Sequence, residues 1–233
     1  MKEIMKRIKI IGLALVAVFA LSAVVAASAS AALPEFVPGA AKTKFTSKSG
    51  ESFLEASKQV IKCKSDTNKG ELVGTTKKED TVTVTFLGCE SLTLKAKCQN
   101  TTTKGKIVTN LLVSLLGYIN AAKKEVGLSL SPKTAGGLFA EFECAEVKVK
   151  VGEGTGKGGN SVIGRVTPVN KLVTPPETFA LSFNCVSEKQ EVEKFEGGAK
   201  DVLEAEIGGL GWEEACESSQ DTILFKVAEE LKA

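Results

Sequence analysis

Short stretches in which every second residue is apolar recur along this 233-residue chain, and they restrict its fold more than any other feature. In TVTVTF, Val82, Val84 and Phe86 fall on one side and Thr81, Thr83 and Thr85 on the other. Val147, Val149 and Val151 alternate with Lys148 and Lys150, and Leu203, Ala205 and Ile207 with Glu204 and Glu206. Phe179, Leu181, Phe183 and Cys185 form a further row, and Ile223, Phe225 and Val227 another. Leu92, Leu94, Ala96 and Cys98 alternate with Thr93, Lys95 and Lys97. Successive side chains of a strand point to opposite faces, so each stretch reads as a strand with one buried face. Helical spacing is scarce; only the C-terminal AEELKA and the stretch near Ser57 are compatible with short helical turns.

Turn-forming triplets separate the stretches: Asn68-Lys69-Gly70, Thr103-Lys104-Gly105, Ala135-Gly136-Gly137 and Glu196-Gly197-Gly198. Regular short strands between turn signals predict an all-β fold, an antiparallel β-sandwich or barrel of about ten strands. A change of phase around Cys144-Ala145 predicts a bulge. Cys63-KSDTNKGELV and Cys98-QNTTTKGKIV share a pattern of cysteine, polar run, Lys-Gly and aliphatic residues, which reads as a duplicated strand–turn–strand unit or as two similar hairpins.

The strands follow an export signal. Lys2, Lys6, Arg7 and Lys9 precede an apolar run from Ile10 to Ala27, and small residues follow it. This is the layout of a cleaved secretory signal peptide, with Ala29-Ser30-Ala31 in the small-residue positions and the cut after Ala31. The run nearly matches the roughly 20 residues of a membrane-spanning helix, so a retained anchor is the competing reading. Residues 1–31 are thus assigned to the signal peptide, 32–50, with Pro34 and Pro38, to an extended N-terminal arm, and 51–233 to a single all-β domain. Removing 31 of 233 residues leaves 202, enough for a real core. The signal holds four of the 30 basic and one of the 28 acidic residues, so 26 basic and 27 acidic residues remain, a net charge near −1. That balance lacks the basic footprint of a nucleic-acid binder, and no second long apolar segment predicts a membrane span after cleavage.

All six cysteines, Cys63, Cys89, Cys98, Cys144, Cys185 and Cys216, lie beyond the signal. An even number in an exported chain, with no CxxC pair, predicts three disulfides and not a metal site. Cys63, Cys98, Cys144 and Cys185 share the phase of neighbouring apolar residues and are expected to face the core. Cys185 and Cys216 occupy the same C-terminal block and form the favoured pair; Cys63, Cys89, Cys98 and Cys144 stay unassigned.

Catalytic residue patterns are scarce in the chain. The chain has no histidine, which removes the commonest general base, the Ser-His and Cys-His pairs and the commonest zinc ligand. The four aspartates, Asp66, Asp80, Asp201 and Asp221, sit in polar or turn contexts, and most glutamates alternate with lysines on outward positions. GEGTGKGGNS, from Gly152 to Ser161, lacks the Gly-Lys-Ser/Thr ending of a phosphate loop and reads as a hairpin loop. No calcium loop is present, so no cofactor is expected. Sugar-binding modules stack their ligands on exposed aromatics; the single Trp212, in GGLGWEEAC, is the candidate exposed binding aromatic.

Several segments in order, ASASAALPEF, LGYI, LFAEFEC, SVIGRVTPVNK, and KFEGG followed by DVLEAE, resemble a group of uncharacterised secreted proteins of soil actinobacteria. The resemblance covers most of the chain after the signal. It implies export from a bacterium and brings no catalytic or binding residues with it. Cys185 and Cys216 are less typical of that group than the other four cysteines, which fits a separate bridge.

The expected function is that of a non-enzymatic extracellular or cell-envelope β-domain, a binding or structural module. Its expected partner is a cell-envelope polymer or an extracellular protein. One alternative is a β-barrel carrier of a small apolar ligand, with the run Ile107 to Ile119 lining its cavity. A second is a secreted hydrolase using paired carboxylates, which requires two convergent Glu or Asp side chains and at least one perturbed pKa.

Overall fold

A computed structural model describes residues 33–37, 43–73, 79–152 and 160–233. The signal segment 1–31 and most of the glycine-rich loop, 153–159, lie outside the described residues. No helix occurs among those described, and none is therefore long and apolar enough to cross a membrane.

In chain order the strands are β1 (Glu35–Val37), β2 (Thr43–Ser49), β3 (Ser52–Ala56), β4 (Gln59–Cys63), β5 (Ser65–Val73), β6 (Glu79–Leu87) and β7 (Glu90–Ser91). There follow β8 (Ala96–Gln99), β9 (Lys106–Val108), β10 (Leu112–Asn120), β11 (Glu125–Pro132), β12 (Leu138–Cys144), β13 (Val147–Gly152) and β14 (Val162–Thr167). The last are β15 (Leu172–Val173), β16 (Phe179–Phe183), β17 (Cys185–Val186), β18 (Lys189–Gln190), β19 (Glu204–Ile207), β20 (Trp212–Phe225) and β21 (Glu229–Lys232).

The pairings close a barrel. Strands β2, β5, β6, β10, β11, β14, β16 and β20 pair antiparallel in that order, and β20 returns to β2. A second circuit closes as well, through β3, β4, β7, β8, β12, β13, β19 and β20, which pairs back to β3. Four chain segments run through both rings. Strand β20 does so unbroken, its residues 219–225 in the first ring and 212–218 in the second. The continuations β2 to β3, β4 to β5 and β6 to β7 are interrupted by only one or two residues. The rings thus meet at a waist, and both remove the open edges that a flat sheet would expose.

Alternation fills the interior. Val82 and Val84 of β6, Phe179, Leu181 and Phe183 of β16, and Ile223 and Phe225 of β20 are all buried. The small sheet β1–β21–β15 adds Phe36, whose ring meets Phe179 edge-on at 5.4 Å and Phe225 at 5.3 Å. Gly70 of β5 lies under the ring of its register partner Phe45, and a Cβ on Gly117 would come within 2.6 Å of Phe195. Both glycines are there because an aromatic ring occupies the place of their side chains.

The stretch 32–50 reads as an arm ahead of a domain beginning at residue 51, and the pairings move that boundary. Thr43–Ser49 is an interior barrel strand, paired with β5 on one side and β20 on the other. Its inward residues Thr43, Phe45 and Ser47 alternate with exposed Lys44, Thr46 and Lys48, but two of the three are hydroxylic, so the hydrophobic period is weak.

Asn68-Lys69-Gly70 is mid-strand, so Cys63–Val73 and Cys98–Val108 are not duplicates: the first passes from the end of β4 through Lys64 into the unbroken β5, the second is a strand, a turn and β9. Leu92 and Leu94 lie exposed in a turn, where the Leu94 amide donates to Ser91 Oγ at 3.1 Å. The phase change at Cys144 is a two-residue hairpin turn, Ala145-Glu146, not a bulge; chain reversal itself resets the alternation. AEELKA contributes strand β21, and Ser57-Lys58, both at positive φ, form the tight turn between β3 and β4.

Cys63 bonds to Cys89, Cys98 to Cys144, and Cys185 to Cys216, the pair favoured by sequence. Cys98 and Cys144 are direct cross-strand partners of β8 and β12. Every bridge falls on or beside the second ring, whose strands β7, β8 and β19 have only two to four residues. The first ring, with β5, β6 and β10 of nine residues each, carries none within it. Where ladders are short, covalent links supply the constraint.

Candidate functional site

At the waist between the rings lies a cavity of about 120 Å³. Five phenylalanines line it: Phe53 from β3, Phe86 from β6, Phe139 and Phe142 from β12, and Phe183 from β16. Three acids share the same lining, Asp66 from β5 and Glu217 and Asp221 from β20.

Strand period brings the acids together. Ala215, Glu217, Ser219, Asp221, Ile223 and Phe225 fall on one side of β20, and the side that is apolar at both ends is acidic in the middle. Ser49 of β2 stands in register with Asp66 on one flank and Asp221 on the other. Asp66 is 2% and Asp221 6% exposed.

Hydroxyls and one amide supply the donors. Ser47 Oγ donates to Asp221 Oδ1 at 2.8 Å, Asn68 Nδ2 to the same oxygen at 3.4 Å, and Ser219 Oγ to Asp221 Oδ2 at 3.3 Å. Ser49 Oγ donates to Asp66 Oδ2 and accepts from the Asp66 amide at 3.2 Å. Asp66 Oδ1 and Glu217 Oε2 are shut off from solvent and have no conventional donor. The side chain of Glu217 is only half-buried as a whole, so its carboxyl end is the enclosed part.

Burial sets the charge state. It raises Asp66 to about 7, helped by the negative charge of Asp221 and opposed by the Ser49 hydrogen bond. Burial also raises Glu217 to about 8; the Ser219 hydroxyl opposes this, and the charges of Asp221 and Asp66 add to it. Asp221 is raised by burial too, while hydrogen bonds from Ser47, Asp66, Ser219 and Asn68 restrain it. Asp66 and Asp221 therefore share a proton, with Asp66 the donor. Among the described residues, every Lys or Arg ion pair engages other acids.

Strands β17 and β18 pack on β20 at the waist. Between β19 and β16, one edge of β20 has no strand neighbour. Gln190 of β18 takes that place: its Oε1 accepts from the Glu217 amide at 3.0 Å, and its Nε2 donates to the Glu217 carbonyl at 3.2 Å. The Cys185–Cys216 bridge ties the same small hairpin to β20.

The convergent carboxyls that a hydrolase requires are present, and two of them stand closer than a glycosidase pair. Retaining and inverting glycosidases hold their carboxyls at least about 5 Å apart, whereas Asp66 and Asp221 are in hydrogen-bond contact. The sequence picks out none of these three acids, since its aspartates read as polar or turn positions and most of its glutamates as outward ones. Trp212, the candidate binding aromatic, begins β20 half-buried beside Glu206 of β19 and does not line the cavity. The run Ile107 to Ile119 contributes Ile107, Thr109 and Leu112 to the lining. Among the described residues, metal-ligand spacing occurs at Glu55 with Cys185 and Cys216, whose sulfurs are bonded to each other and so cannot ligate as thiolates.

Three disulfides fit an oxidising, extracellular compartment. Comparison of the chain with protein-family models, with curated proteins and with solved structures found no match in any of the three.

Proposed function

We propose that this chain is an exported, non-enzymatic binding protein that holds a small, largely apolar molecule at the waist of its two rings. The observation that carries the reading is the cavity itself: about 120 Å³, walled mainly by phenylalanine and aliphatic side chains, inside a closed and disulfide-stapled scaffold. An apolar cavity of roughly 150 Å³ accepts benzene, so the occupant has about five or six non-hydrogen atoms. A polymer chain does not fit such a volume, which favours the carrier over a cell-wall module.

Xenon and benzene titrations followed by NMR test this. Both are expected to shift resonances of the Phe139, Phe142 and Phe183 rings. The substitution Ala140→Leu, on the cavity wall, is expected to abolish these shifts while leaving the dispersed spectrum of a folded β-protein. Binding that survives Ala140→Leu, or shifts confined to the surface, would remove the reading. Turnover of an ester, peptide or glycoside that disappears in Asp221→Asn would replace it with the hydrolase.

A further inference from the structure

Resting on that reading, we propose that the occupant is a small organic ammonium, an apolar body of four or so carbons ending in a protonated amine, with the amine between Glu217 and the Asp66–Asp221 pair and the body among the phenylalanine rings. The acids stand in the wall of an apolar cavity, with no lysine or arginine of the described residues paired to them. Ser47, Ser49, Asn68 and Ser219 direct their hydrogen bonds to Asp66 and Asp221 and leave acceptor capacity over. Above about pH 8, where these acids have lost their protons, Asp66 Oδ1 and Glu217 Oε2, both enclosed, lack a donor.

An enclosed acceptor without a donor is costly. An alkane occupant offers it nothing, and a carboxylate occupant repels it. An alcohol offers one hydrogen. An ammonium offers up to three, together with the opposite charge, and it is the only one of the four that answers both deficits. The rest of the wall suits the same ion. Aromatic rings attract an organic cation within about 6 Å of their centres, and five line this cavity. A bare metal ion fits less well. Hard cations take six or more oxygens, and the three carboxyls do not reach the mutual spacing that a shared ion needs.

The test uses the oxidised, full-length mature protein at pH 8.5 and four probes of one shape: isobutylammonium, isobutanol, isobutyrate and isopentane. Affinities are read by NMR shift titration. Isobutylammonium is expected to bind at least about tenfold more tightly than isobutanol, and isobutyrate not at all. In Glu217→Gln and in Asp221→Asn, which keep the shape of the wall, that preference should fall to about threefold or less, with isopentane binding retained. If isopentane or isobutanol binds as tightly as the amine, the ammonium proposal is overturned and the apolar cavity stands. If none of the four binds, both fall. An amine preference unchanged in both variants places the amine elsewhere and also overturns the proposal. Should either variant fail to fold, the ranking of the four probes on the unsubstituted protein decides.

Discussion

Reduction of the three disulfides is expected to unfold the second ring before the first. The bridges close loops with sequence separations of 26, 46 and 31 residues. Loop-closure entropy assigns each about 3–4 kcal/mol through its restriction of the unfolded chain, against a total stability of about 5–15 kcal/mol for a typical domain. All three together are therefore comparable with the whole. The loss is not spread evenly, because the bridges sit where ladders are short. For the double variant Cys98→Ser, Cys144→Ser, in which β8 and β12 lose their covalent link, we expect a Tm about 10 °C lower, taking about 2–4 °C per kcal/mol at this size. Hydrogen exchange would locate the effect. Amides of β7, β8, β12 and β13 should exchange faster, while those of β5, β6, β10 and β11 keep their protection. Uniform loss across both rings would mean that they form one cooperative unit and that the staples serve the whole molecule.

The same division explains what could be read in the sequence. Strands with bulky inward rows, such as Val82–Val84–Phe86 and Phe179–Leu181–Phe183, announce themselves because their buried face is apolar throughout. Strand β2 does not, since its inward face carries Thr43 and Ser47 around a single Phe45. Leu92 and Leu94 mislead in the opposite direction: they alternate, yet Ser91 turns the chain there and leaves both leucines exposed. Asn68-Lys69-Gly70 has turn chemistry but lies in a strand because Phe45, 25 or so residues earlier, fills the space above Gly70. Such long-range partners have no local signature.

The acids of the cavity were half legible. Asp221 lies two and four residues before Ile223 and Phe225, and Glu217 and Ser219 continue the same phase backwards. Extending that apolar row by period alone puts both carboxyls indoors. The sequence rules assign charged residues to the outside unless a partner is visible, and the partners here, Ser49 and Asp66, come from β2 and β5, more than 150 residues away. The need for convergent carboxylates could be stated from sequence; their identity required the register of three strands.

Those acids also fix how stability should depend on pH. Asp66 is raised from 3.8 to about 7 and Glu217 from 4.5 to about 8, both chiefly by burial, and Asp221 moves in the same direction. In the unfolded chain these carboxyls lose their protons near pH 4, whereas the native protein keeps them to pH 7–8. Between those limits the native state binds more protons than the unfolded state, so stability falls as pH rises. The contribution is complete below about pH 4 and is lost as pH passes 8. Exposed acids held low by neighbouring donors, Glu90 by Lys97 and Glu191 by Asn184, have the opposite sign, and solvent screening keeps their effect small. Thermal denaturation should therefore give a Tm about 10 °C or more lower at pH 8.5 than at pH 4.5. The double variant Asp66→Asn, Glu217→Gln isolates the cause. It keeps the shape of the wall and leaves only Asp221 of the three to ionise, so it should be close to the unsubstituted protein at pH 4.5, more stable at pH 8.5, and fall less steeply between. A profile for the unsubstituted protein that is flat or rises with pH would mean that the carboxyls are solvated and that the waist is open to water. A steep fall that persists in the double variant would place the responsible proton on another group.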